Sequence, residues 1–61
     1  MIQLTKLNGT GFILNADLIE TIDYTPDTVI TLINNKKIVV KESPHDIIEK
    51  VINYRRRIFG R

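Results

Sequence analysis

Sixty-one residues make one small domain, 1–61, and a chain of this length buries only about 60% of the surface its unfolded form exposes. With no cysteine and a single histidine, His45, it has no disulfides, no thiolate zinc site and no histidine-built metal cage, which leaves self-association as the expected staple. The net charge is only +2, but Arg55, Arg56, Arg57 and Arg61 crowd the last seven positions, while the rest carries five lysines against seven carboxylates. Such unevenness suits head-to-tail subunit contacts or a basic tip aimed at something acidic.

Ile2 to Leu7 reads as a strand with Ile2 and Leu4 on one face, ending at Asn8-Gly9, the pair that favours a tight type I′ hairpin. Thr10-Gly11 follows, so a longer loop with a bulge at Gly11 is the alternative. Phe12-Ile13-Leu14 is the returning strand. Asn15 is placed to cap one helical turn, with Leu18 and Ile19 folding back onto the sheet. A third strand runs from about Ile19 to Tyr24, and Thr25-Pro26-Asp27 turns the chain, with proline at the first corner.

Thr28 to Ile33 and Lys36 to Val40 are rich in β-branched residues and flank Asn34-Asn35, which reads as a two-residue hairpin loop. That loop sets Ile30 opposite Val39 and Val29 opposite Val40. One face then carries Ile30, Leu32 and Val39, and the other Val29, Ile33, Ile38 and Val40. A sheet with one wet face alternates apolar and polar residues, and this hairpin does not. Both faces want cover. The helix supplies one cover; a second subunit or partner seated on Val29, Ile33, Ile38 and Val40 supplies the other, unless the first hairpin curls over that face as a half-barrel.

Ser43-Pro44-His45-Asp46 is a helix start. Ser43 can cap the amide at the third helical position, Asp46 can close a capping box, and Pro44 sits where its missing N–H costs nothing. Over 43–59, Ile47, Ile48, Val51, Ile52, Ile58 and Phe59 recur at helical spacing, opposite Asp46, Glu49, Lys50, Asn53 and Arg57, and Gly60 ends the helix. Arg55 falls inside the apolar stripe. Either its stem lies on the core while the guanidinium reaches water, or it pairs with a carboxylate across a subunit interface.

Catalysis needs a nucleophile with a base, paired carboxylates or a metal, and none of these is legible. Ser43 and His45 both have structural work at the helix start. Asp17, Glu20 and Asp23 lack the glycine and closing glutamate of a calcium loop, and no Gly-Lys-Ser/Thr follows Gly9 and Gly11. No cofactor and no metal are expected. The basic end, Lys50, Arg55, Arg56, Arg57 and Arg61, is the candidate partner surface. Three consecutive arginines point three ways around a helix and no aromatic interleaves them, which argues against nucleic acid, although a small nucleic-acid-binding regulator is the alternative reading. The same tip would serve an acidic protein or the anionic face of a membrane. No charged-then-apolar leader and no apolar run of about 20 residues is present, so a cytoplasmic protein is expected.

Three stretches carry a resemblance. Ile2-Gln3-Leu4-Thr5-Lys6-Leu7-Asn8-Gly9 is the first, and Phe12-Ile13-Leu14-Asn15-Ala16-Asp17-Leu18-Ile19-Glu20 the second. Thr25-Pro26-Asp27-Thr28-Val29-Ile30-Thr31-Leu32, continued by Lys36-Lys37-Ile38-Val39-Val40-Lys41-Glu42-Ser43, is the most distinctive. Together they resemble the small flagellar FlbD family, also called the swarming motility protein SwrD family, over nearly the whole chain, fading in the arginine-rich end. Nothing resembles the ATPase or DNA-binding modules of the larger transcription regulator that shares the FlbD name. The resemblance implies a bacterial cytoplasmic protein encoded among flagellar genes, which supports the power delivered by the flagellar motor's stator. It brings no established binding residues to map.

The sequence therefore predicts an α+β fold: an antiparallel sheet of four or five strands built from hairpins over 1–42, with one C-terminal amphipathic helix, 43–59, packed on it. The expected function is non-enzymatic support of flagellar or swarming motility through contact with a protein of the motor or its assembly, by a chain that is itself a homo-oligomer.

Overall fold

A computed structural model describes residues 1–59, the side chains of 58 and 59 excepted. The chain runs β1 (Ile2–Thr5), β2 (Gly11–Leu14), a 3₁₀ turn (Ala16–Leu18), β3 (Ile19–Asp23), β4 (Thr28–Leu32), β5 (Lys37–Val40) and α1 (Pro44–Phe59). The α+β class is as expected. The single sheet is not: β1 and β2 form one antiparallel pair, and β3, β4 and β5 form a separate antiparallel sheet in that order. The two touch at one isolated antiparallel bridge, Lys6 with Val40.

Both hairpin loops are built alike, and neither is a two-residue turn; the first has the longer loop given as its alternative, the second does not match its expected turn. Lys6 N–H donates to the Thr10 carbonyl and Leu32 N–H to the Lys36 carbonyl, which encloses the three-residue loops Leu7-Asn8-Gly9 and Ile33-Asn34-Asn35. In each, the third residue is left-handed, Gly9 at φ 93° and Asn35 at φ 71°. In each, the middle asparagine accepts from the N–H two residues on, Thr10 at 2.9 Å and Lys36 at 3.0 Å. This is the three-residue hairpin loop in which a left-handed residue closes a bulge. The bulge is therefore at Gly9, not Gly11.

The extra loop residue corrects the register of the second hairpin by one. Ile30 stands opposite Ile38, Val29 opposite Val39 and Thr28 opposite Val40. A one-residue slip moves every side chain of a strand to the other face. Ile38 and Val40 therefore join Ile30 and Leu32 on the core side, and Val29 shares its face with Val39. The expected grouping of Val29, Ile33, Ile38 and Val40 does not exist as a surface: Val40 is buried, Ile38 packs against the core, and Ile33 is exposed in the loop.

One core lies between the strands and the helix. Ile2, Leu4, Leu14, Ala16, Ile30, Leu32, Val40 and Ile47 are buried together, with Phe12, Ile19, Ile22, Ile38, Val51 and Tyr54 half-buried around them. The first hairpin and the helix thus close on the same face, the one carrying Ile30 and Val40. Ile19 and Ile22 are three residues apart and would alternate to opposite faces in a regular strand. A register irregularity between Ile19 and Thr21 leaves Glu20 unmatched and turns both isoleucines toward the core. Asn15 caps the 3₁₀ turn as expected, its side chain accepting from Asp17 N–H at 3.0 Å. The Thr25–Pro26 peptide is cis.

Ser43 caps α1, its hydroxyl accepting from Asp46 N–H at 3.1 Å. The face α1 buries is Ile47, Val51 and Tyr54, narrower and rotated relative to the expected stripe; Ile48 and Ile52 stay exposed, at 49% and 40%. The expected contributions of the Ile58 and Phe59 side chains and of Gly60 lie outside what is described.

Candidate functional site

The basic C-terminal half of α1 divides between two concavities, one on each side of the helix. At about 100° per residue, positions 50, 53, 54 and 57 share one flank and 48, 52 and 55 the other. The first flank meets the start of β1 in a polar cleft of 370 Å³, lined by Lys50, Asn53, Tyr54 and Arg57 from the helix and by Met1, Ile2 and Gln3 from the strand side. The second flank meets β3 and the 3₁₀ turn in an apolar groove of 260 Å³, where Ile48, Val51 and Ile52 face Ala16, Ile19 and Ile22, with Arg55 at the rim.

Of the five residues expected to recognise a partner, the fold brings together two. Lys50 and Arg57 share the polar cleft. Arg55 is turned to the other flank, where its Nη2 lies 3.4 Å from Asp17 Oδ1; both side chains are well exposed. Within the chain, the carboxylate beside Arg55 is that of Asp17. Arg56 is exposed, and Arg61 lies outside the described residues. Composition-based reasoning missed Asn53, Tyr54 and Gln3. A wheel drawn from Lys50 at steps of three and four finds the first two; Gln3 had no local signal, because only the tertiary fold brings β1 to the helix.

Outside the lining of the cleft, Thr5 and Glu42 tie β1 to the segment that precedes α1. Thr5 N–H donates to Glu42 Oε1 at 3.0 Å, and Lys41 N–H donates to the Thr5 carbonyl at 2.8 Å. Burial pushes the Glu42 carboxyl up, but the N–H of Thr5, its own N–H, the Thr5 hydroxyl and the Lys50 ammonium outweigh burial and hold it below the ordinary carboxylate range. Lys6 Nζ sits 5.7 Å from the centre of the ring of half-buried Phe12.

Among the described residues no three His, Asp or Glu side chains converge as a metal set, and Ser43, the hydroxyl nearest His45 in sequence, is engaged in its cap. No helix of the described residues is long and apolar enough to cross a membrane. No curated protein and no solved structure matches the chain. The family model described as flagellar and swarming motility proteins matches residues 1–59, very nearly the whole chain; this is a motility family, not a known enzyme family. The chain belongs to the FlbD family, and its role lies in flagellar or swarming motility.

Proposed function

We propose that this protein is a cytoplasmic, non-enzymatic accessory of flagellar motility that acts by contact with a protein of the motor, supporting the power its stator delivers. The observation that carries the reading is the pairing of family with surface. A motility protein of 61 residues presents Lys50, Arg56 and Arg57 along one helix, with a cleft beside them. The arginines diverge around the helix instead of forming one stripe, which favours a protein partner over a nucleic-acid backbone. The test is crosslinking in motile cells from a photoreactive residue at position 56, with torque measured under viscous load. Recovery of a stator or rotor protein, together with loss of torque in an Arg56→Ser, Arg57→Ser strain, is the expected result. Recovery of RNA or DNA instead would replace this reading with that of a regulator of flagellar expression.

Self-association is the second part of the proposal, moved from the β4–β5 hairpin to the apolar groove. Its occupant is a second copy. Arg55 lines the groove and Asp17 pairs with it, so a copy related by a two-fold axis beside Arg55 offers each side chain its opposite charge. Ile52 and Leu18, both part-exposed next to that pair, gain cover in the same arrangement.

A further inference from the structure

The polar cleft has a strand edge for one wall. Strand pairing is antiparallel and Lys6 bonds to Thr10, so alternation turns the backbone groups of Lys6, Leu4 and Ile2 toward β2 and those of Thr5 and Gln3 away from it. The outward pair on Thr5 is engaged by Glu42 and Lys41. Beyond that point the chain leaves the edge of β1 and enters α1, and no backbone partner faces Gln3 among the described residues. The Gln3 side chain leans along the sheet toward Gly11, its Nε2 3.8 Å from where a Cβ would stand there. An open strand edge facing a helix across a cleft is the geometry in which an extended peptide adds as one more strand.

The charge of the cleft says which peptide. Among the described residues its lining brings two cationic side chains, Lys50 and Arg57, with Asn53 and Tyr54, and no carboxylate; Glu42, on which the Lys50 charge acts, lies outside that lining. Lys50 and Arg57 are two helical turns apart, about 10.5 Å along the axis. Side chains two and four residues apart on one face of an extended chain are separated by about 7 and 13 Å, which brackets that spacing within reach of two long basic side chains. A concave site walled by a strand edge also suits a single extended chain better than a flat bilayer.

We propose that an acidic, extended segment of a partner protein adds along the edge of β1 at Gln3, with carboxylates on one of its faces held by Lys50 and Arg57. This rests on the reading of the helix as a partner surface, and it names the partner's chemistry: acidic side chains at alternate positions of a β-forming segment.

The test uses the full chain and a fluorescent synthetic peptide of alternating glutamate and valine, with a lysine-valine peptide as control. Binding of the glutamate peptide, weakened about tenfold or more by Lys50→Ser with Arg57→Ser but not by Lys36→Ser with Lys37→Ser, two exposed lysines away from the cleft, is expected. The charge-keeping pair Lys50→Arg, Arg57→Lys should retain binding, which separates lost recognition from lost folding. Amide exchange adds a second readout: the Gln3 N–H should gain protection when peptide is bound. Binding with an unprotected Gln3 amide, equal loss in both double variants, or tighter retention of anionic vesicles or single-stranded DNA by the same two residues would each overturn the proposal. None of these outcomes touches the in-cell crosslink from position 56, so the two readings fail separately.

Discussion

Gly9 and Asn35 hold the same place in two hairpin loops of one design, the third residue of three, each left-handed and each following an asparagine that bonds two residues ahead. Left-handed backbone is free to glycine and costs an asparagine part of the roughly 1–2 kcal/mol that other residues lose there. Asn35→Gly should therefore stabilise the protein by about 0.5 kcal/mol, and Gly9→Ala should destabilise it by about 1 kcal/mol. No atom stands within 4 Å of a Cβ built at Gly9, so the cost there is conformational and not steric. Thermal melts of the two variants, moving in opposite directions, check the assignment.

Glu42 makes stability depend on acid. Its carboxyl titrates below the ordinary 4.5 in the folded chain, so the stabilisation it supplies is complete above that value and is lost as pH falls through the lower, folded one. Urea midpoints measured from neutral pH down through the carboxylate range should fall more steeply for the wild type than for Glu42→Gln. Glu42→Ala should also cost about 1 kcal/mol at neutral pH, since the Thr5 N–H loses its acceptor.

Ile47 is the helix residue fully enclosed by the core. Ile47→Ala should remove about 2–5 kcal/mol, which at this size is most of what a single chain has. Far-ultraviolet circular dichroism at micromolar concentration should show a largely unfolded variant, whereas Ile48→Ala, at an exposed site one residue on, should melt within about 0.5 kcal/mol of wild type.

The Asp17–Arg55 pair is exposed and should add little to folding: Arg55→Asp or Asp17→Arg should shift stability by no more than about 1 kcal/mol. Their effect on mass should be larger. Each variant alone sets like charges against one another across the proposed two-fold and should sediment as a monomer. An equimolar mixture restores two opposite-charge pairs and should sediment as a heterodimer. A mixture that stays monomeric would end the proposal of self-association through the groove.

Much of this fold was legible because short-range chemistry and tertiary structure agree: Ser43-Pro44 starts the helix, Asn15 caps the 3₁₀ turn, and Ile2 and Leu4 enter the core together. The register of the second hairpin was not. Val29, Ile30, Ile38, Val39 and Val40 are apolar on both faces, so hydrophobic alternation could not choose between neighbouring alignments, and Asn34-Asn35 suits a two-residue turn as readily as the end of a three-residue loop. The separation into two sheets was hidden as well, because it turns on where β1 meets β5, a contact between residues more than thirty positions apart. Of the candidate site, the charges were visible and their division was not: three consecutive arginines say that they diverge, but not that Arg57 joins Lys50 while Arg55 turns to Asp17.

The seam where Lys6 meets Val40 and Thr5 meets Lys41 and Glu42 is the strand-to-strand link between the two sheets. Each hairpin closes a loop of a few residues and can form on the microsecond scale by itself, whereas the seam joins positions separated by most of the chain. In kinetic terms, its long sequence separation predicts that the seam forms late in folding and opens first. Substitutions at Thr5 or Glu42 should then act chiefly on the rate of unfolding, leaving hairpin formation untouched, and the two halves of the molecule would come apart there before either hairpin frays.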